Sequence, residues 1–406
     1  MPDSYVPMDS RPLAGNQTMK MQKATDAQRQ AVESFRTFLA LEVTPVIRKF
    51  RGRSIPAERM REITQGVAEF GLPGASIAPA FGGMGFSVIT EAMLLEELCV
   101  VSCEVAHCVI GNMLVASVLA DLPVAQQKLR DQYLPDLLAG RSFAGFYLPQ
   151  TDAQAEGGVN AWQTADGWVI NGAHEQVCNG LYCDFLIAQV RTERGALCHV
   201  LVEREQHGYT SRILDRPTLN GMFSARVSFS NVRLPVSQVI WEEQNRLERQ
   251  TRLLEQVDVC AALLSIGLTR AVQEACIAAA QLPDSPGCSC ASQPLAALRI
   301  AEMATRLEAA RLMCLRAYSL IDDGTPCQLQ ASMARWLASE TALKACQNAL
   351  QLPGGKELSA ALDLERLVRE SIVLPSPNGL TDAQKFSIAN ALMGISIQPT
   401  FNVVAP

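Results

Sequence analysis

Asp166-Gly167-Trp168-Val169-Ile170-Asn171-Gly172 is the stretch on which the fold turns. It is a short apolar strand between two turn signals, and it interrupts a chain that otherwise has helical spacing. Strand-like segments follow at Phe185–Val190, Cys198–Val202 and Ala225–Phe229, each bounded by turn residues, up to about Pro235. On the N-terminal side, apolar residues recur every three or four positions, as in Val32-Phe35-Leu39 and Leu41-Val43-Val46-Ile47. The only break there is the Gly/Pro loop from Gly71-Leu72-Pro73-Gly74 to Pro79-Ala80-Phe81-Gly82-Gly83-Met84-Gly85. Beyond Glu242, Ala-, Leu- and Arg-rich helical runs occupy 252–280, 295–322, 328–350 and 383–393.

This order predicts a mainly α chain with a central antiparallel β-barrel or sandwich and a C-terminal four-helix bundle. The expected units are a flexible N-terminus over 1–24, a helical domain over 25–141, a β domain over 142–241, a helical bundle over 242–396 and a tail over 397–406. At 406 residues and 48% hydrophobic content the chain can bury a large core. A net charge of −6 lacks the basic face that nucleic acid requires, so no nucleic-acid partner is expected. No run of about 18 uninterrupted apolar residues occurs, so no membrane partner is expected either. Thirteen scattered cysteines without a Cys-x-x-Cys pair, and four histidines, predict free thiols in a reducing cytoplasm and no metal.

Several ordered segments bear on the family. They include Phe81-Gly82-Gly83-Met84-Gly85, Tyr133-Leu134-Pro135-Asp136-Leu137-Leu138-Ala139-Gly140, the opening strand and Ser228-Phe229-Ser230-Asn231-Val232-Arg233-Leu234-Pro235. Ala301-Glu302-Met303-Ala304, Glu308-Ala309-Ala310-Arg311 and Met333-Ala334-Arg335 follow. From about Gln28 to Asn390 the chain resembles the acyl-CoA dehydrogenase family. The resemblance implies FAD between the β domain of one subunit and the bundle of its neighbour. It also implies an acyl thioester of CoA or an acyl-carrier protein as substrate, and a homodimer, homotetramer or mixed oligomer.

Position by position, several of the family's site residues are replaced. Its Thr-Glu-Pro motif becomes Tyr147-Leu148-Pro149-Gln150-Thr151, leaving Tyr147 and Thr151 as candidate cofactor residues. Its Trp-x-Thr/Ser before an Asn-Gly turn becomes Gln176-Val177-Cys178-Asn179-Gly180, with Gln176 and Cys178 in place of the flavin-facing indole and hydroxyl. The arginine that serves the pyrophosphate is replaced by Cys288, a thiol that cannot supply a charged contact. Gln351-Leu352-Pro353-Gly354-Gly355 retains the Gln-x-x-Gly-Gly motif and is equally consistent with a plain inter-helix turn.

The catalytic glutamate falls on Asn378, whose amide accepts no proton at neutral pH. A second family location points to Asp258, one residue displaced, where an ion-paired aspartate is the alternative to a base. His107 is expected in the core, His174 at the surface, and Glu96 and Glu97 on a solvated helix face. Three functions remain open: a flavin-dependent oxidoreductase of specialised metabolism, a protein of this fold that has lost dehydrogenation, and a flavin-dependent monooxygenase.

Overall fold

The computed structural model describes residues 25–50, 53, 55–147, 158–213, 224–241, 243–281, 294–352, 364–374 and 382–395. Thr151, Cys288, Gly354, Gly355 and Asn378 lie outside them. The first layer is helical: α1 (Asp26–Phe38), α2 (Thr44–Lys49), α3 (Ala57–Ala68), α4 (Val88–Val101), α5 (Cys103–Ala120) and α6 (Gln127–Leu138). α1 begins in a capping box, where Thr25 Oγ1 accepts from Gln28 N–H at 3.2 Å and Gln28 Oε1 accepts from Thr25 N–H at 2.8 Å. A π-helical stretch over Leu39–Val43 inserts an extra residue per turn, which throws Leu41 out to solvent although its spacing in the sequence is that of a core residue.

α4 and α5 are separated by Ser102, whose hydroxyl accepts from Val105 N–H at 3.2 Å and starts α5. α5 is apolar on nearly all sides because it is enclosed by α4, α6, the sheet and the bundle. Its 18 residues would be long and apolar enough to cross a membrane, but 78% of them are buried inside the protein, as in a core helix.

The second layer is one sheet. Its strands are β1 (Ala144–Phe146), β2 (Val159–Thr164), β3 (Gly167–Val177), β4 (Phe185–Thr192), β5 (Leu197–Glu203), β6 (Thr210–Ile213), β7 (Ala225–Leu234) and β8 (Val239–Trp241). The order is β6-β7-β3-β2-β4-β5-β8, with β1 also on β4. The expected antiparallel domain is therefore a mixed one, because β1 and β2 both run parallel to β4. Phe185 to Val190 is a continuous buried run, as expected for a strand paired on both edges and covered on both faces.

The third layer comprises α7 (Glu243–Gln281), α8 (Pro294–Asp322), α9 (Gln328–Leu350), α10 (Leu364–Val373) and α11 (Asp382–Leu392). α7 crosses α4 at Gly267, where a Cβ would stand 2.3 Å from Cys99 Cβ and 2.8 Å from the Cys99 carbonyl carbon. Only a residue without a side chain permits that approach.

Glu96 and Glu97 are not on a solvated face. Arg270 of α7 binds both, at 2.8 Å and 2.6 Å, Arg311 of α8 binds Glu96 at 2.6 Å and Arg36 of α1 binds Glu97 at 2.8 Å. Burial pushes the Glu97 carboxyl up, but the two guanidiniums outweigh it and leave the group below its ordinary range. A helix packed by other helices can bury charge when arginines arrive from each of them, which apolar spacing does not reveal.

Candidate functional site

The site is built where α5 meets the turn after β3. From Cys103 to Ala116 of α5, every residue is buried except Glu104 and His107. These two are three residues apart and share a face of the helix. Opposite them, Cys178 pairs with Phe146 of β1 through backbone hydrogen bonds of 3.2 Å and 3.4 Å, which end β3. Asn179 follows at φ 56, and its Nδ2 donates to the carbonyls of Cys108 at 2.9 Å and Ala144 at 3.1 Å. These bonds fasten the turn to α5. A Cβ on Gly111 would lie 2.5 Å from Asn179 Nδ2 and 2.8 Å from Cys178 Sγ, so the glycine is what admits the turn.

In this position Cys178 Sγ lies 3.5 Å from His107 Nε2. Burial pushes the thiol up to about 12 and the imidazole down to about 4. Both are neutral at pH 7, so the pair is a thiol beside an imidazole and not an activated thiolate. Tyr182, on the same turn, has its phenol raised by burial and then by the nearby Glu104.

Burial pushes Glu104 up to about 7, opposed by a long 3.5 Å hydrogen bond from Ile55 N–H. Glu370 and Arg366, both on α10, act on it in opposite directions. No ion pair engages Glu104 among the described residues. Its signal in the sequence is its polarity and its three-residue spacing from His107 on an otherwise apolar helix, and no family motif marks it.

Asp258 is placed elsewhere in the chemistry. Its Oδ1 accepts from Arg335 Nη1 at 2.7 Å, and its Oδ2 accepts from Ser332 Oγ at 3.1 Å and Gln328 Nε2 at 3.3 Å. Carboxylate and guanidinium are both about 8% exposed, so this is a buried ion pair between α7 and α9. One turn earlier, Glu255 accepts from Cys327 N–H at 2.8 Å and holds the start of α9. The ion-paired alternative describes Asp258, and both its oxygens are engaged.

The remaining candidates divide. Gln176 stands half-exposed at φ 58, two residues from Cys178. Tyr147 is 6% exposed, and its ring stacks on His174 at 3.7 Å between centroids. His174 was expected at the surface but is 1% exposed; burial drives its imidazole down to about 3. The bulge in β3 between His174 and Val177 shifts the register there, an irregularity invisible in a plain alternation. Gln351 is exposed at the end of α9, where its N–H donates to the Asn348 carbonyl at 3.2 Å. The eleven described cysteines are free thiols, and no group of three metal-ligating side chains is assembled among the described residues.

The chain matches two sequence profiles: the N-terminal domain of acyl-CoA dehydrogenases over residues 25–141 and the C-terminal domain of acyl-CoA dehydrogenases over residues 248–393. It is 25% identical over 387 residues to a cyclohex-1-ene-1-carbonyl-CoA dehydrogenase of Geobacter metallireducens, covering 92% of this chain and 100% of the relative. It is 24% identical over 346 residues to an acyl-CoA dehydrogenase of Bacillus subtilis, covering 82% of this chain and 90% of the relative. Its fold superposes on butyryl-CoA dehydrogenase from Megasphaera elsdenii with a TM-score of 0.83 at 20% identity, over 91% of this chain and 99% of that structure.

Proposed function

The chain belongs to the acyl-CoA dehydrogenase family, and we propose that it is a flavin-dependent oxidoreductase acting on an acyl thioester of CoA or of a carrier protein. One observation carries this reading: on the family's scaffold, the junction of α5 with the β3 turn brings together the polar, partly exposed Glu104, His107 and Cys178. Everything around it on α5 is buried, so a ligand reaching that helix meets these groups.

The donor set fits the ring end of FAD. A flavin edge carries both N–H and C=O groups, and the neutral amide of Gln176 and the neutral thiol of Cys178 can each answer one without burying a charge. Asn179 Oδ1 is buried without a hydrogen-bond partner in the same turn, an acceptor left for a donor. When bound, FAD would supply the hydride acceptor. Gln176 and Cys178 would hold the ring edge, and His107, 3.5 Å from the thiol, would fix its position.

Substitution of the family's motif residues by Gln176, Cys178 and Asn378 supports a dedicated, unusual thioester over general fatty-acid breakdown. A reducing cytoplasm belongs to the same reading, supported by the free thiols. Self-association through the bundle is supported by exposed Leu295, Leu298, Phe386, Leu392 and Met393. A second reading, loss of dehydrogenation, is favoured by one observation: the amide at Asn378 and the ion pair at Asp258 leave neither family position with a free base.

Anaerobic titration of the FAD-loaded protein separates them. The flavin's visible band is expected to bleach with an acyl-CoA or an acyl-carrier protein. A colourless protein that ignores added FAD would sink the flavin reading. Hydroxylated product with oxygen consumption would replace dehydrogenation by monooxygenation.

A further inference from the structure

The proposed reaction needs a carboxylate to take the α-proton, and the described residues hold one that no family motif marks. Among the buried and part-buried acidic groups of the helices, Asp258 is in an ion pair with Arg335, Glu370 with Arg366, and Glu255 holds the first turn of α9. Glu91, on α4, is buried and accepts from Ser76 N–H at 2.9 Å. Glu104 alone among these has a half-open position, no ion pair and a single long hydrogen bond.

Its place is also right. His107 lies one helical turn on, about 5–6 Å away between Cβ atoms, and His107 touches Cys178, which takes the position of the family's flavin-facing hydroxyl. A thioester bound beside a flavin edge held at Cys178 therefore approaches the only two side chains that α5 leaves partly exposed between Cys103 and Ala116. Of these, His107 is kept neutral by burial and already occupied by the thiol, while Glu104 is the oxygen acid.

We propose that Glu104 is the proton acceptor of this site, in place of the carboxylate missing at Asn378. The inference rests on the thioester reading given above. In the step, the Cα–H bond of the bound thioester breaks, its proton passes to a Glu104 carboxylate oxygen, and its electron pair becomes the thioester enolate. The reverse step returns a proton from solvent, so the half-reaction exchanges α-hydrogen and needs no oxidant. The groups around Glu104 are Glu370 and Arg366 from α10, Tyr182 from the turn, Ile55 N–H, and His107 and Cys108 on its own helix. A carboxyl pushed up to about 7 by burial has the basicity a general base uses near neutral pH.

The test is exchange of α-hydrogen for deuterium in butyryl-CoA and in a butyryl-carrier protein, by the FAD-loaded protein in heavy water, read by mass spectrometry. Flavin bleaching is recorded separately. Wild-type protein is expected to exchange, with a rate rising through about pH 7 as Glu104 ionises. Glu104→Gln, which keeps the volume and the neutral form, is expected to lose about 100-fold or more while still binding FAD, and Glu104→Asp to recover part of it. An infrared carboxyl band that disappears on titration near neutral pH in wild type is expected to be absent from Glu104→Gln. Exchange that is unchanged in Glu104→Gln overturns the proposal, as does wild-type exchange flat in pH should the variants not fold. Wild-type protein that exchanges through Glu104 without bleaching flavin keeps the proposal and sinks dehydrogenation. Wild type that neither binds FAD nor exchanges sinks both.

Discussion

Single residues here are set by what surrounds them more than by their type. His174 and Glu104 make the point in opposite directions. His174 sits between Tyr147 and Phe229 with its imidazole held down to about 3, against about 6.5 when unfolded. Below pH 6.5 the unfolded chain takes up a proton that the folded one refuses, so stability is full above 6.5 and falls as pH drops. At pH 5 that loss is about 2 kcal/mol, and urea unfolding at pH 7 and pH 5 should show it shrink by that amount in His174→Phe. Glu104 has the reverse sign. Its folded value of about 7 exceeds its ordinary 4.5, so the folded state holds the proton longer and stability falls as pH rises from 4.5 to 7. Glu104→Gln should flatten that slope between pH 5 and 8. Asp258 is a third case. Removing its partner in Arg335→Met strands a buried carboxylate and should cost about 3–5 kcal/mol. Asp258→Asn should lower the melting temperature while leaving α-hydrogen exchange intact.

At the scale of elements, the spacing of apolar residues and the turn signals carried most of the information. Helices over 252–280, 295–322, 328–350 and 383–393 are found within longer or nearly coincident segments, because runs of good helix formers continue in each up to a Gly or Pro stop. What the spacing does not carry is partnership. β2 and β4 look alike whether they pair parallel or antiparallel, since alternation records which face is buried and not which neighbour is bonded. The π stretch at Leu39–Val43 and the bulge before Val177 are likewise one-residue slips that leave no compositional trace. The site was legible only in part for the same reason. Gln176 and Cys178 stand at motif positions, whereas Glu104 has only its spacing from His107 in the sequence and is set apart by the burial of the rest of α5 from Cys103 to Ala116. Close approach of elements gives a further prediction. Gly267→Ala would push a methyl to 2.3 Å from Cys99 Cβ, with backbone close behind. Overpacking of this kind should cost about 1–3 kcal/mol, read as a lowered denaturant midpoint with an unchanged slope.

At the scale of the whole molecule, the three layers must move as one if a site shared by α5, the β3 turn and α10 is to keep its geometry. Two of the features that hold the helical layer to the bundle bear on this. One is the α4–α7 crossing at Gly267; the other is the charge cluster in which Glu97 accepts from Arg36 of α1 and Arg270 of α7, while Glu96 accepts from Arg270 and Arg311 of α8. Four helices from both ends of the chain thus share two carboxylates, with Arg270 binding both. Replacing a whole buried network by apolar groups can be neutral, but deleting one member leaves uncompensated charge behind. Glu97→Gln therefore faces two guanidiniums with a neutral amide, and should cost about 3–5 kcal/mol. The loss falls at the joint between layers, so calorimetry should separate one unfolding transition into two, with the N-terminal helices melting first. Flavin retention should fall together with that first transition if the site depends on the joint. A single, merely shifted transition would mean that the remaining contacts, among them the Gly267 crossing and Ser117 Oγ with Gln256 at 3.1 Å, hold the layers together without Glu97.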